Sequence, residues 1–194
     1  MSSPVLPVSI EPMIIQQQGM TIYYPQVVNL PNPNVQQAIN QIIFQVMQTL
    51  IQQQYEQQDA ESFTEMIGTY EIKTNERDIL SLSLSNYAIS FQHAHGLTLM
   101  KSLTFDVQTG RLYQLGDLFK PGSNYVKVLS EIVQNQIIKR DMQLLNDFSG
   151  IAPDQDFYIA DKSLVLYFQL YEITPYYTSY KTSLMKTDRS DVWL

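Results

Sequence analysis

Two spacings of hydrophobic residues alternate along the chain. Between residues 34 and 53, Val35, Ala38, Ile39, Ile42, Val46, Leu50 and Ile51 recur every three or four positions and predict a long amphipathic helix. Asn34 stands as its N-cap. Its other face is Gln36, Gln37, Gln41, Gln45, Gln48, Gln52 and Gln53, with no charge as far as Gln54. A second helix is predicted after Pro121-Gly122-Ser123-Asn124. Tyr125, Val128, Leu129, Ile132, Val133 and Ile137 form its stripe, and Ser123 or Asn124 its cap.

Elsewhere the period is two. Residues 20–30 predict a strand stopped by Pro31-Asn32-Pro33. Residues 63–74 and 79–91 read as an antiparallel pair in which Leu80, Leu82 and Leu84 alternate with Ser. Leu97, Leu99, Leu103, Phe105 and Val107 carry most of an odd-numbered apolar face. Gln108-Thr109-Gly110 then supplies a tight turn, and Leu112 and Leu115 resume the pattern in a second strand. Residues 144–156 read as irregular. A closing hairpin is expected over 157–160 and 164–173, turning at Asp161-Lys162-Ser163. Residues 1–19 read as a loosely held arm with one or two extended pieces. Residues 178–194 read as a polar tail in which a final strand is missing or frayed, and a bare sheet edge there invites self-association. The fold class expected is α+β: a mostly antiparallel sheet with two amphipathic helices packed on one face, in a single domain over 20–177.

Composition adds limits. A chain of 194 residues buries roughly 70% of its unfolded surface without needing metal or disulfide staples. A net charge of −7, with the 12 Lys and Arg scattered, argues against nucleic acid and leaves a basic partner attractive. The absence of Cys excludes disulfides, thiol catalysis and cysteine-based zinc sites. No apolar run reaches the ~18 residues of a membrane span. Residues 1–15 lack Lys and Arg and are broken by Pro4, Pro7, Glu11 and Pro12, so no signal peptide is expected and the compartment stays open.

Candidate chemistry is sparse. His93 and His95, the two histidines, would share one face of a strand and suit a metal or an acid–base pair. Further ligands would have to be carboxylates such as Glu65, Glu71 or Glu172, and no fixed spacing supplies them. The context favours the alternative, in which His95-Gly96 shapes a bend. Glu172, at the end of an apolar strand, is either a buried catalytic acid or a structural hydrogen-bond acceptor, and no second carboxylate forms a pair with it. Serine nucleophile motifs, phosphate-binding Gly loops and calcium loops are absent, so neither an enzyme nor a cofactor is expected. Tyr167, Tyr171, Tyr176, Tyr177 and Tyr180 crowd the C-terminal end, as a binding surface or as sheet packing.

Several of these residues also form a recognisable series. Tyr24-Pro25-Gln26-Val27, Val35-Gln36-x-x-Ile39-Asn40, Ala94-His95-Gly96, Phe105-Asp106-x-x-Thr109-Gly110, Asp117-Leu118-Phe119 and the stretch Tyr171-Glu172-Ile173-Thr174-Pro175-Tyr176 occur in order. Together they resemble a bacterial domain family of largely unknown function, over roughly residues 20–177. That family forms the extracytoplasmic part of the lysozyme-responsive anti-sigma-V factor and precedes the catalytic domain of some peptidoglycan deacetylases. Relatives commonly carry Gly where this chain has Gln92 or His93, so only His95 fits the pattern. The resemblance implies a non-enzymatic binding or sensor domain that recognises a lysozyme-like protein or a peptidoglycan ligand. His93, His95, Glu172, Tyr171, Tyr176 and Tyr177 are the candidate binding residues. The alternatives are a self-assembling envelope or spore protein and, behind it, a metal-dependent hydrolase using His93 and His95.

Overall fold

The computed structural model describes residues 8–91, 94–161, 163–175 and 187–188. It divides into two compact units, Met1–Leu112 and Tyr113–Leu194. The class is α+β, as the alternation of spacings implies.

In the first unit five strands form one sheet in sequence order: β1 (Ser9–Gln17), β2 (Met20–Val28), β3 (Glu65–Glu76), β4 (Ile79–Ile89) and β5 (Leu97–Asp106). The N-terminal arm, expected to hold one or two extended pieces, is from Ser9 onward the strand β1, held by antiparallel pairing with β2 along its whole length. Gly19, at φ +73°, makes the tight turn between them. The pairing was hidden because Glu11 and Pro12 interrupt the apolar alternation. β3 to β5 form an antiparallel meander, and Arg77 and Asp78, both at positive φ, make the β3–β4 turn. Among the described strands of this sheet only β2 and β3 run parallel, over the pairs Met20–Met66 to Ile22–Gly68.

The long helix α1 (Pro33–Gln58) connects β2 to β3. Its N-cap is Asn32, not Asn34: the Asn32 Oδ1 accepts the N–H groups of Asn34 (3.0 Å) and Val35 (3.4 Å). Pro33 occupies the first turn, where its missing N–H costs nothing. The buried stripe is Val35, Ile39, Ile43, Met47 and Leu50, turned slightly from the expected one, so that Ile42 and Val46 are half-buried at its margin. It packs on the even-numbered face of β4 (Leu80, Leu82, Leu84, Ala88) and on Leu99, Leu103 and Phe105 of β5. The expected strand after Gly110 reduces to a single bridge between Phe105 and Leu112.

In the second unit a 3₁₀ turn, Leu115–Leu118, precedes α2 (Tyr125–Lys139), whose buried residues are Leu129, Val133 and Ile137. Val128, expected in the stripe, is 53% exposed. Asn124 is the N-cap position but makes no side-chain capping bond. Tyr125 stacks on Phe119, with centroids 5.0 Å apart, and its hydroxyl donates to the Pro153 carbonyl (2.8 Å). A three-stranded sheet follows, of β6 (Phe157–Ala160), β7 (Ser163–Leu166) and β8 (Thr187–Asp188). The tail therefore does contribute a short strand, while β7 stops at Leu166, well before the expected end at 173. No helix among the described residues is long and apolar enough to cross a membrane.

Candidate functional site

His95 is exposed, on the turn between β4 and β5; His93, Tyr176, Tyr177 and Tyr180 lie outside the described residues. Gly96 explains the bend. A Cβ there would sit 2.3–2.5 Å from the outer atoms of the Tyr87 ring, so the ring rests directly on the bare Cα. Among the described residues no group of three His, Asp or Glu side chains gathers to hold a metal.

Glu172 is not at a strand end. It is exposed, in the turns beyond β7, where its Oε2 accepts the Gln169 N–H (2.6 Å) and its Oε1 accepts Gln155 Nε2 (3.3 Å). Gln155 also donates to the Tyr167 carbonyl (2.9 Å), so Glu172 and Gln155 hold this irregular chain together. Tyr171 is half-exposed at φ +66°, whereas Tyr167 is buried. Of the tyrosine surface, Tyr171 is the exposed member among the described residues.

The other residues of the series make turns and clamps. Asp106 Oδ1 accepts the N–H groups of Gln108 (2.8 Å) and Thr109 (3.2 Å), and Gly110, at φ +77°, donates back to the Asp106 carbonyl (2.8 Å). Asp117 Oδ2 accepts the Gln114 N–H (2.8 Å) at the start of the 3₁₀ turn. Asn40 binds both backbone groups of Val27.

The end of α1 is built differently. Gln54, wholly buried, donates from Nε2 to the carbonyls of Asn86 (2.7 Å) and Leu97 (3.0 Å). Its Oε1 accepts from Gln58 Nε2 (2.7 Å), which also donates to the Ala88 carbonyl (3.2 Å). The two amides fasten the last turns of the helix to β4 and β5. Asn86 Oδ1, on the same buried face, has no hydrogen-bond partner among the described residues.

Directly beyond lies a cleft of about 450 Å³, lined by Gln58, Asp59, Glu61, Ser62, Ser90 and Phe91. Asp59 caps α1 in the left-handed conformation (φ 45°). Phe91 forms the lip and is 93% exposed. Three features here favour a cation: the carboxylates of Asp59 and Glu61, the carbonyl end of a helix with no basic residue in its last turn, and an uncovered aromatic face.

The residues of this cleft escaped the reading of the sequence, although two signals were present. Gln54 and Gln58 continue the 43-47-50 spacing of the buried stripe, and Phe91 extends the outward parity of β4 past its end.

Comparison with known proteins places the chain. Residues 16–98 match the family model described as "Deacetylase PdaC", and residues 116–179 that of "Protein of unknown function (DUF3298)". Two similar solved structures are a member of the DUF3298 family from Bacteroides fragilis and a DUF3298 family protein from Pseudomonas aeruginosa. The first is 12% identical with a TM-score of 0.63, covering 89% of this chain and 87% of the other. The second is 16% identical with a TM-score of 0.68, covering 95% and 92%. No curated protein matches. The resemblance read from the sequence to a domain of unknown function therefore holds in both halves of the chain.

Proposed function

We propose that this chain is a non-enzymatic binding domain that recognises a basic, lysozyme-like protein, with the cleft at the end of α1 as its contact. The observation that carries the reading is Phe91. A phenylalanine 93% exposed contributes almost nothing to its own fold, yet large aromatic anchors dominate binding energy at protein interfaces. Asp59 and Glu61 beside it would receive a lysine or arginine side chain. The net charge of −7 would steer such a partner in.

Calorimetric titration of the purified chain with a panel of lysozymes at two salt concentrations tests this, with peptidoglycan fragments as a separate arm. Saturable lysozyme binding that weakens with salt is expected, together with a loss of roughly tenfold or more in Phe91→Ala. The paired variant Asp59→Asn, Glu61→Gln should lose most of the salt dependence. Asn tolerates the left-handed backbone at 59, so the cap survives. Absence of lysozyme binding, or binding indifferent to both variants, would overturn the proposal.

A second reading, self-assembly, rests on β1, one of the two outer strands of the five-stranded order. Glu11 and Pro12 near its middle oppose strand addition at this edge. A monomer by light scattering at high concentration would dismiss the second.

A further inference from the structure

The second unit has a cleft of its own, of about 410 Å³, between α2 and the loop at 148–150. From α2 it takes Glu131, Gln134 and Asn135, and from the loop Phe148, Ser149 and Gly150. The loop is fastened in place by Ser130. Its hydroxyl donates to the Val126 carbonyl (2.6 Å) and accepts the Ile151 N–H (3.0 Å). Gly150, at φ +123°, comes so close that a Cβ would lie 3.1 Å from Ser130 Oγ, in a conformation other residues rarely take. Phe148 is half-buried and meets Phe168 edge-on, with centroids 6.2 Å apart and planes at 80°, so its ring is oriented by packing. The wall is thus set in advance, which lowers the entropic cost of binding.

Two amides on the α2 wall of the cleft are uncommitted among the described residues. The side-chain amides of Gln134 and Asn135 make no hydrogen bond among the described residues. Glu131 makes only a loose pair with Lys127, at 4.0 Å on an exposed helix face. We propose that this cleft binds a neutral oligosaccharide. Each amide presents a donor and an acceptor side by side, matching two adjacent sugar hydroxyls, and a carboxylate accepts two O–H bonds. The fixed ring of Phe148 supplies a flat surface for the C–H face of a pyranose. Among the described residues no Lys or Arg lines the cleft, which counts against a phosphate ligand, and Phe148 is the one large apolar side chain there, which counts against an apolar one. Its volume lies within the range of about 300–1,000 Å³ usual for small-ligand clefts.

The test is a residue-resolved NMR titration of the whole chain with chitotetraose and, separately, cellotetraose, each to about 10 mM, since a shallow cleft implies weak affinity. Saturable shifts centred on residues 130–135 and 148–150 with either sugar are expected. The paired surface variant Gln134→Ala, Asn135→Ala should weaken binding roughly tenfold or more at an unchanged melting temperature. Phe148→Ala should abolish it; where that variant loses its fold, the amide pair decides. Absence of shifts at these residues with both sugars, or shifts that survive the amide variant, would overturn the proposal. Phe91→Ala should leave the titration unchanged, so the result stands apart from lysozyme recognition.

Discussion

Asn40 and Val27 are joined as two residues of neighbouring strands would be. The Val27 N–H donates to Asn40 Oδ1 and Asn40 Nδ2 donates to the Val27 carbonyl, each at 2.8 Å. A side-chain amide has the same donor and acceptor as a peptide group, so one helical residue completes the ladder that β2 would otherwise leave open. Asn75 does the same for Val8, at 2.9 and 2.8 Å.

Replacing Asn40 with Ala strips both partners from a residue that is wholly buried. Each of the two groups so orphaned costs about 1–3 kcal/mol, so Asn40→Ala should lose about 2–6 kcal/mol in urea unfolding. A loss below about 0.5 kcal/mol would show that water replaces the amide.

Gln54 and Gln58 should act as one unit. Gln54→Ala leaves the carbonyls of Asn86 and Leu97 without its Nε2 and also takes the acceptor from Gln58. The two alanine variants should therefore be non-additive, with a coupling of about 0.5–3 kcal/mol in a double-mutant cycle. Additive losses would mean the amides act independently.

Gly68 is small for a packing reason, since its φ is not positive. A Cβ there would meet Ile22 Cγ2 at 2.6 Å and Cδ1 at 2.9 Å, and Ile22 is itself buried and branched. Gly68→Ala should cost about 1–3 kcal/mol through overpacking. Ile22→Ala should then cost less in that background than in the original chain, which thermal melts of the four proteins would decide.

Phe91→Ala should leave stability within about 0.5 kcal/mol, because a side chain so exposed has little burial to lose. A larger loss would make Phe91 a packing residue and remove the main support for its role in recognition.

Strong periodicity was legible and weak periodicity was not. The spacings of α1, α2, β4 and β5 announced these elements because each buries a full apolar face. The extended piece in residues 1–19 was legible but its pairing with β2 was not, because an edge strand with Glu11 and Pro12 need not alternate cleanly. The end of β7 was misplaced because apolar residues continue past Leu166 into turns held by Gln155 and Glu172. The series Asn40, Asp106, Gly110 and Asp117 identified the domain type because these residues set its turns and clamps. Such residues say little about a ligand. The cleft beside Phe91 depends on where a helix stops against a strand end, which no local spacing encodes.

The three parallel pairs between β2 and β3 bear on the order in which the first unit assembles. β1 with β2, and β3 with β4 and β5, join strands that are adjacent in sequence, so each block closes short loops at small entropic cost. The β2–β3 junction must instead bring together segments separated by the whole of α1. Contacts of that span form late and set the folding rate. Two preformed blocks thus meet at Ile22 and Gly68, and Gly68→Ala should slow refolding more than it speeds unfolding. The reverse would show that the seam closes after the rate-limiting barrier. On this account the glycine acts as a latch in time as well as in space.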